Sequence, residues 1–278
     1  LATKGDCVRR IETRGPARGQ CNICGEEARL TVDHVPPRSC RVIGNGELRS
    51  LVERLAPDSR PPRGARQLQN GVSYRSLCTH CNTEMLGGEY DPALAEFCAR
   101  VRAIAESRLE LPDALTVRVR PQRVIRSLLG HMAAQGVNRY LKGPITEPLR
   151  DYLLDLTAAL PEAIRVYYWL YPFRGQVLVR DAVRIRMGSD DPILFWLLKF
   201  SPLAFMATFN ETGDAAFRLT RLDPYGREPI DTEVDVSLAL RPLVHELWPE
   251  APDGDGAVMY GQQAHFAQPV NAKSRLTR

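Results

Sequence analysis

Apolar and polar side chains alternate in several short stretches of the chain, and that period of two predicts strands. Ala28–Asp33 (ARLTVD) and Val72–Leu77 (VSYRSL) form one such pair. Between them runs an insert, roughly 44 to 70, in which Leu48–Leu55 suggests a short helix and DSRPPRGAR an exposed loop. Helical spacing of Leu94, Phe97, Cys98, Val101, Ile104 and Ala105 predicts a helix over 92–109, with Asp91 as N-cap and Pro92 in the first turn. Leu115–Arg120 alternates as a strand, and 121–140 and 147–160 are expected as helices, the second capped by Thr146. Beyond them the character changes. Ile164–Tyr171, Gln176–Met187, Leu203–Phe209, Ala215–Leu222 and Val234–Leu240 are strand-like and separated by turn signals such as NETGD and DPYG. The apolar stretch 192–209 is broken by Lys199, Ser201 and Pro202, too soon for a membrane span of about 20 residues, and is expected as buried strands or a core helix. Residues 1–20 are expected as a flexible basic arm, and the Gly-, Asp- and Gln-rich tail from Pro249 as loose.

Composition narrows the class without naming a function. With 278 residues, 44% hydrophobic and 25% charged, the chain is neither disordered, collagen-like nor a coiled coil. The formal charge of +4 is uneven: residues 1–75 hold 14 basic and 8 acidic side chains, and the remainder hold 23 and 25. A basic N-terminal third suits contact with a polyanion. Only 4 of the 37 cations are lysines, which suits bidentate phosphate contacts but equally follows from a GC-rich genome. The first twenty residues are charged and lack the apolar core of a signal peptide, so a cytoplasmic protein without membrane association is expected. In that compartment an odd count of 7 cysteines points to metal rather than a disulfide framework.

The cysteines carry the strongest pattern. Cys21-Asn-Ile-Cys24 and Cys78-Thr-His-Cys81 are two CxxC knuckles, whose four thiolates suit a tetrahedral structural Zn²⁺ with Zn–S near ~2.3 Å. Such a site contributes on the order of 10 kcal/mol to folding in small zinc modules. The 53 residues separating the knuckles exceed the ordinary ribbon spacing, and the insert accounts for the excess. A redox pair or two unrelated knuckles is the alternative. Cys98 has a core position, Cys7 and Cys40 are expected as free thiols, and His80 is a possible substitute ligand.

Asp33-His34-Val35-Pro36-Pro37 follows the first strand, and Asn82 directly follows Cys81. Together with the knuckles this order resembles the HNH (His-Me finger, ββα-metal) endonucleases, in the zinc-containing branch where two CxxC knuckles flank an Asp-His pair and an Asn follows the last cysteine. It is also similar to bacterial HNH proteins carrying a (Glu/Asp)-His-Val-Pro-Pro signature. The resemblance covers about residues 21–90. It implies a metal-dependent nuclease cutting DNA rather than RNA, with His34 as general base and Asp33 and Asn82 holding a catalytic Mg²⁺ or Mn²⁺. It further implies hydrolysis leaving 5′-phosphate and 3′-hydroxyl ends. The family's middle Asn falls on Ser73, while Asn70 is the nearest Asn, and either remains open. Arg38, Arg41 and Arg75 flank the motif as candidate phosphate contacts, with solvated arginines as the alternative. Glu84 and Glu89 are weaker candidates for the metal shell.

The expected fold is therefore α+β: a zinc-stapled ββα-metal module over 21–110, followed by a mixed α+β domain over 111–278 with a mainly antiparallel sheet. His131, His245 and His265 stand apart there without partners at metal-ligand spacing, and Tyr167, Tyr168, Trp169, Tyr171 and Phe173 are expected as core packing rather than base-stacking groups. The C-terminal part would position substrate, form a homodimer or receive an activating partner. A role in restriction or phage defence is compatible with a nuclease of this build. The rival expectation is a non-catalytic zinc module that binds nucleic acid or a partner protein.

Overall fold

The computed structural model describes residues 11–40, 43–55, 65–107, 110–186, 192–209, 217, 219–251 and 256–270. Arg41, Cys7 and most of the DSRPPRGAR loop lie outside them. In chain order the elements are β1 (Arg18–Gln20), β2 (Glu27–His34), β3 (Gly46–Ser50), α1 (Leu51–Leu55), β4 (Arg66–Leu68) and β5 (Ser73–Cys78). A wide, π-type helix over His80–Tyr90 runs without a break into α2 (Asp91–Ala105). Then follow β6 (Ala114–Val119), α3 (Pro121–Ala134), α4 (Glu147–Leu154), β7 (Arg165–Leu170), β8 (Gln176–Arg186), β9 (Ile193–Phe200) and β10 (Leu203–Thr208). The last three strands are β11 (Thr220–Arg221), β12 (Val234–Ala239) and β13 (Gly256–Pro269). The fold is α+β with antiparallel sheets, as the alternating patterns imply.

β1, β2 and β5 form a small sheet in that order, and β12 pairs with β6. The large sheet has eight strands ordered β11-β7-β10-β9-β8-β13-β3-β4. Its central strands are nearly continuous apolar runs because both faces are covered. Tyr168, Leu170, Leu198 and Phe205 pack on one side against Leu94, Phe97 and Leu128 of the helices. Tyr167, Trp169, Leu197 and Met206 pack on the other with Leu51, Phe217 and Trp248. The aromatic run in β7 is thus core on alternating faces. Every residue of α3 except Arg123 is buried, which is the signature of a helix covered all round. It lies against both the small sheet and the large one. The core that includes Cys21, Tyr74 and Leu77 is continuous with the core of the C-terminal strands.

Several expectations are corrected. The tail is not loose: 256–269 is the longest strand, paired to β8 on one side and β3 on the other. Its polar glutamines and glycines conceal the buried Ala264–Ala267 segment, and a bulge between Tyr260 and Gln263 interrupts its alternation. The insert contributes β3 and β4 to this sheet, so only 51–55 of the expected 48–55 is helical. Residues 18–20, read as the end of an arm, pair with β2. Of the two alternatives held for 192–209, buried strands are found, as a hairpin over 193–208. α3 stops at Ala134 because Gln135 is extended and Gly136 takes φ +84, a backbone state that glycine adopts without a Cβ clash. Among the described residues no helix is long and apolar enough to cross a membrane.

A buried ion pair sits away from the small sheet. Lys199 and Glu250, both at 0% side-chain exposure, lie 2.6 Å apart. Burial pushes the lysine down and the carboxyl up, and their mutual attraction opposes both shifts. The ammonium also donates to the Trp248 carbonyl at 3.1 Å, which ties the 246–250 turn to β9.

Candidate functional site

Two tight turns bring the thiols together. The sulfur atoms of Cys21, Cys24, Cys78 and Cys81 all lie within 4.8 Å of one another. The Cys78 amide donates to Cys21 Sγ and the Cys81 amide to Cys78 Sγ, both at 3.4 Å. Hydrogen bonds from Cys24 and Cys81 pull the Cys21 thiol down to about 2, and the same crowding pushes Cys24 up to about 12 and Cys81 higher still. Four sulfurs this close cannot all ionise on their own, whereas a divalent cation would deprotonate them together. The all-sulfur donor set and its closed geometry fit zinc. His80 is outside the cluster, bonded through Nδ1 to Glu84 at 3.0 Å.

The knuckles carry the small sheet and the π-type helix with them. Asn82 donates its Nδ2 to Thr31 Oγ1 at 2.8 Å and to the Val32 carbonyl at 3.2 Å. With its nitrogen spent on β2, the amide oxygen is left for another partner. Asn82 is thereby held against the two residues of β2 that precede Asp33, where the register of β2 against β5 shifts. His34, next to Asp33 on the strand, points to the opposite face from it. It is the last residue of β2, and Pro36 and Pro37 cannot continue the ladder. Asp33 opposes Tyr74 and His34 opposes Ser73 in register, so Ser73 is the cross-strand neighbour of the imidazole. Asn70 instead occupies a left-handed turn position with φ +64, leading into Gly71.

His34 is half-buried, and Arg38 donates its Nε to His34 Nε2 at 3.1 Å. Burial first, and the Arg38 charge second, hold this histidine below its ordinary value. The nitrogen that accepts carries the lone pair, so the proton of the neutral ring is assigned to Nδ1. Val32 pairs with Arg75 on the same face as His34. An open depression of about 500 Å³ on this side is lined by Arg29, Thr31, Val32, Arg75 and Thr79. Arg18 stands directly opposite Arg29, and Arg14 bridges to Arg75. None of these four arginines has a carboxylate partner among the described residues. Like charges set side by side are unfavourable unless a polyanion answers them. Arg14, Arg18 and Arg29 were not singled out by the sequence: the first two fall in the expected arm, and Arg29 is one exposed position of a predicted strand.

Asp33 shows the largest departure from expectation. Its side chain is almost fully buried, and Oδ2 lies 3.0 Å from His131 Nδ1. The other ring nitrogen of His131 is 2.8 Å from Asp91 Oδ1, which also accepts from the Ser127 hydroxyl at 2.7 Å. Burial alone would lower His131, but the charges and hydrogen bonds of Asp33 and Asp91 outweigh it and push the ring well above its ordinary value. Burial likewise opposes ionisation of Asp91, and His131 and Ser127 overcome it. His131 is therefore not isolated, and Asp91 is not a cap: it opens α2 and turns its carboxylate to α3. Glu89 pairs with Arg123 at 2.9 Å. No family model, curated protein or solved structure matches the chain. The HNH likeness stands on these residues alone.

Proposed function

We propose that the chain is a metal-dependent HNH endonuclease acting on DNA, built on a zinc-stapled ββα module. The observation that carries this reading is the clasp of Asn82 onto Thr31 and Val32, which joins the residue after the last cysteine to the strand ending in Asp33-His34. Asp33 and Asn82, brought to the same end of β2, offer hard oxygen donors, a set that suits Mg²⁺ or Mn²⁺. When bound, such an ion supplies charge stabilisation at the phosphorane and the leaving 3′ oxygen.

The chain's own groups do the rest. Arg75, with Arg29 beside it, grips backbone phosphates on the face of His34. The lone pair of His34 Nε2 is covered by Arg38, so a phosphate that draws the guanidinium away uncovers the base. His34 then takes the proton of the attacking water, and hydrolysis leaves a 5′-phosphate and a 3′-hydroxyl. The zinc cluster holds the scaffold and takes no part in the chemistry.

Burial of Asp33 favours a second reading, a non-catalytic zinc module that binds nucleic acid. Plasmid cleavage with Mg²⁺ or Mn²⁺ separates the two. Wild type is expected to cut, and His34→Ala to cut about 10²–10⁴-fold more slowly with DNA binding retained. Equal, negligible cutting by both proteins, with binding intact, would favour the non-catalytic module.

A further inference from the structure

We infer that His131, backed by Asp91 and Ser127, is a positioning residue that aims Asp33 at the catalytic cation, so the nuclease site is completed by a helix outside the module. The inference rests on the nuclease reading above. Three observations carry it. Asp33 is at 3% exposure and would be costly as an unpaired anion, yet its contact is a single directed one, through Oδ2 to His131 Nδ1. That contact leaves Oδ1 for a ligand role, and Asn82 is clasped to the two residues just before Asp33 on β2. His131 itself is at 1% exposure with both ring nitrogens committed, so it cannot be a ligand and cannot rotate without breaking a bond to a buried carboxylate.

The approach of α3 is built for this contact. Gly130, next to His131, sits against Leu86 of the π-type helix so closely that a Cβ would run into the leucine side chain. Ser127, one turn earlier on α3, fixes Asp91 from the same helix face. The relay thus runs from the start of α2 through α3 to the end of β2, with each link at 2.7–3.0 Å. Outer partners of this kind orient a metal's ligands, and their loss commonly weakens metal affinity about 10–100-fold.

The test is Mn²⁺ binding by the zinc-loaded full chain, read by the electron paramagnetic resonance of free Mn²⁺. Zinc content and near-ultraviolet circular dichroism report the fold. Wild type is expected to bind one Mn²⁺ and Asp33→Ala to lose it. His131→Phe, which keeps the ring volume and removes both N–H groups, is expected to weaken Mn²⁺ binding about 10–100-fold with zinc retained. Asp91→Asn should give a smaller loss in the same direction. A folded His131→Phe protein with wild-type Mn²⁺ affinity would overturn the inference and leave the nuclease reading intact. Should that variant fail to fold, unchanged affinity in Asp91→Asn overturns it instead. Wild type that binds no Mn²⁺, or Asp33→Ala that binds it as tightly as wild type, removes the nuclease reading and the inference together.

Discussion

Arg38 donates to His34 at 3.1 Å near the end of β2, and under the proposed function a DNA phosphate would compete with the imidazole for its guanidinium. An exposed arginine that holds a DNA phosphate releases counterions, and removing it lessens the salt dependence of binding. Arg38→Gln is therefore expected to lower DNA affinity and to reduce the slope of log K against log salt by about 1. Fluorescence anisotropy between low and moderate salt measures this, and an unchanged slope means Arg38 does not reach the backbone. Asp33 illustrates what sequence reading cannot supply at this scale. The Asp-His dipeptide and the residue after Cys81 are visible as a motif because their chemistry depends on short spacings. The partner of Asp33 lies 98 positions away on a helix buried almost all round, where nothing local distinguishes it from a core histidine.

Between elements, α3 is the joint. Its last carbonyls, which have no partners within the helix, are taken by side chains from distant segments. Asn22 in the first knuckle donates to Ala133 and Gly136, Ser76 to Ala134, and the buried Arg180 of β8 to Ala133 and Gln135. Burial without a carboxylate lowers that arginine to about 9. A second joint links β5 to β13, where the Tyr74 hydroxyl and His265 Nδ1 share a hydrogen bond at 3.0 Å. Burial depresses His265 to about 4. Below the ordinary histidine value of about 6.5 the unfolded chain gains a proton that the folded chain refuses. Stability is thus lost as pH falls from about 6.5 towards about 4, at about 1.4 kcal/mol per unit. Urea titrations at pH 7 and pH 5 are expected to show a loss about 2 kcal/mol smaller in His265→Phe than in wild type. Equal losses would mean that the ring is protonated in the native state. β13 was hidden in the sequence by its glutamines and glycines, and only its neighbours β8 and β3 make an ordered strand of it.

Taken as a whole, the molecule joins its cysteine knuckles to its large sheet through one apolar core and one buried helix. That layout makes a prediction about cooperativity. Its 3 tryptophans, Trp169, Trp196 and Trp248, all lie beyond residue 110, far along the chain from the cysteines. Chelation of zinc, or Cys81→Ser, is expected to abolish a one-to-one zinc content and to shift the tryptophan-monitored denaturation midpoint downward. Structural zinc is worth on the order of 10 kcal/mol in small modules, more than the margin of most domains. A tryptophan transition that ignores zinc would show that the two halves unfold independently. The α+β class and the cysteine cluster were legible because alternation and CxxC spacing are local. The sharing of one sheet by the insert and the last strand was not, since pairing between positions near 48 and 267 leaves no mark in either segment alone.

That pairing has a consequence for synthesis. β3 leaves the ribosome about 200 residues before the strand that will lie beside it, a wait of roughly 10–40 s at ordinary translation rates of about 5–20 residues per second. During that interval one side of β3 has no sheet to join, and a chain truncated before residue 256 is left with its eight-stranded sheet split. The nascent chain would carry its cysteine knuckles early and complete its eight-stranded sheet only once β13 has been made.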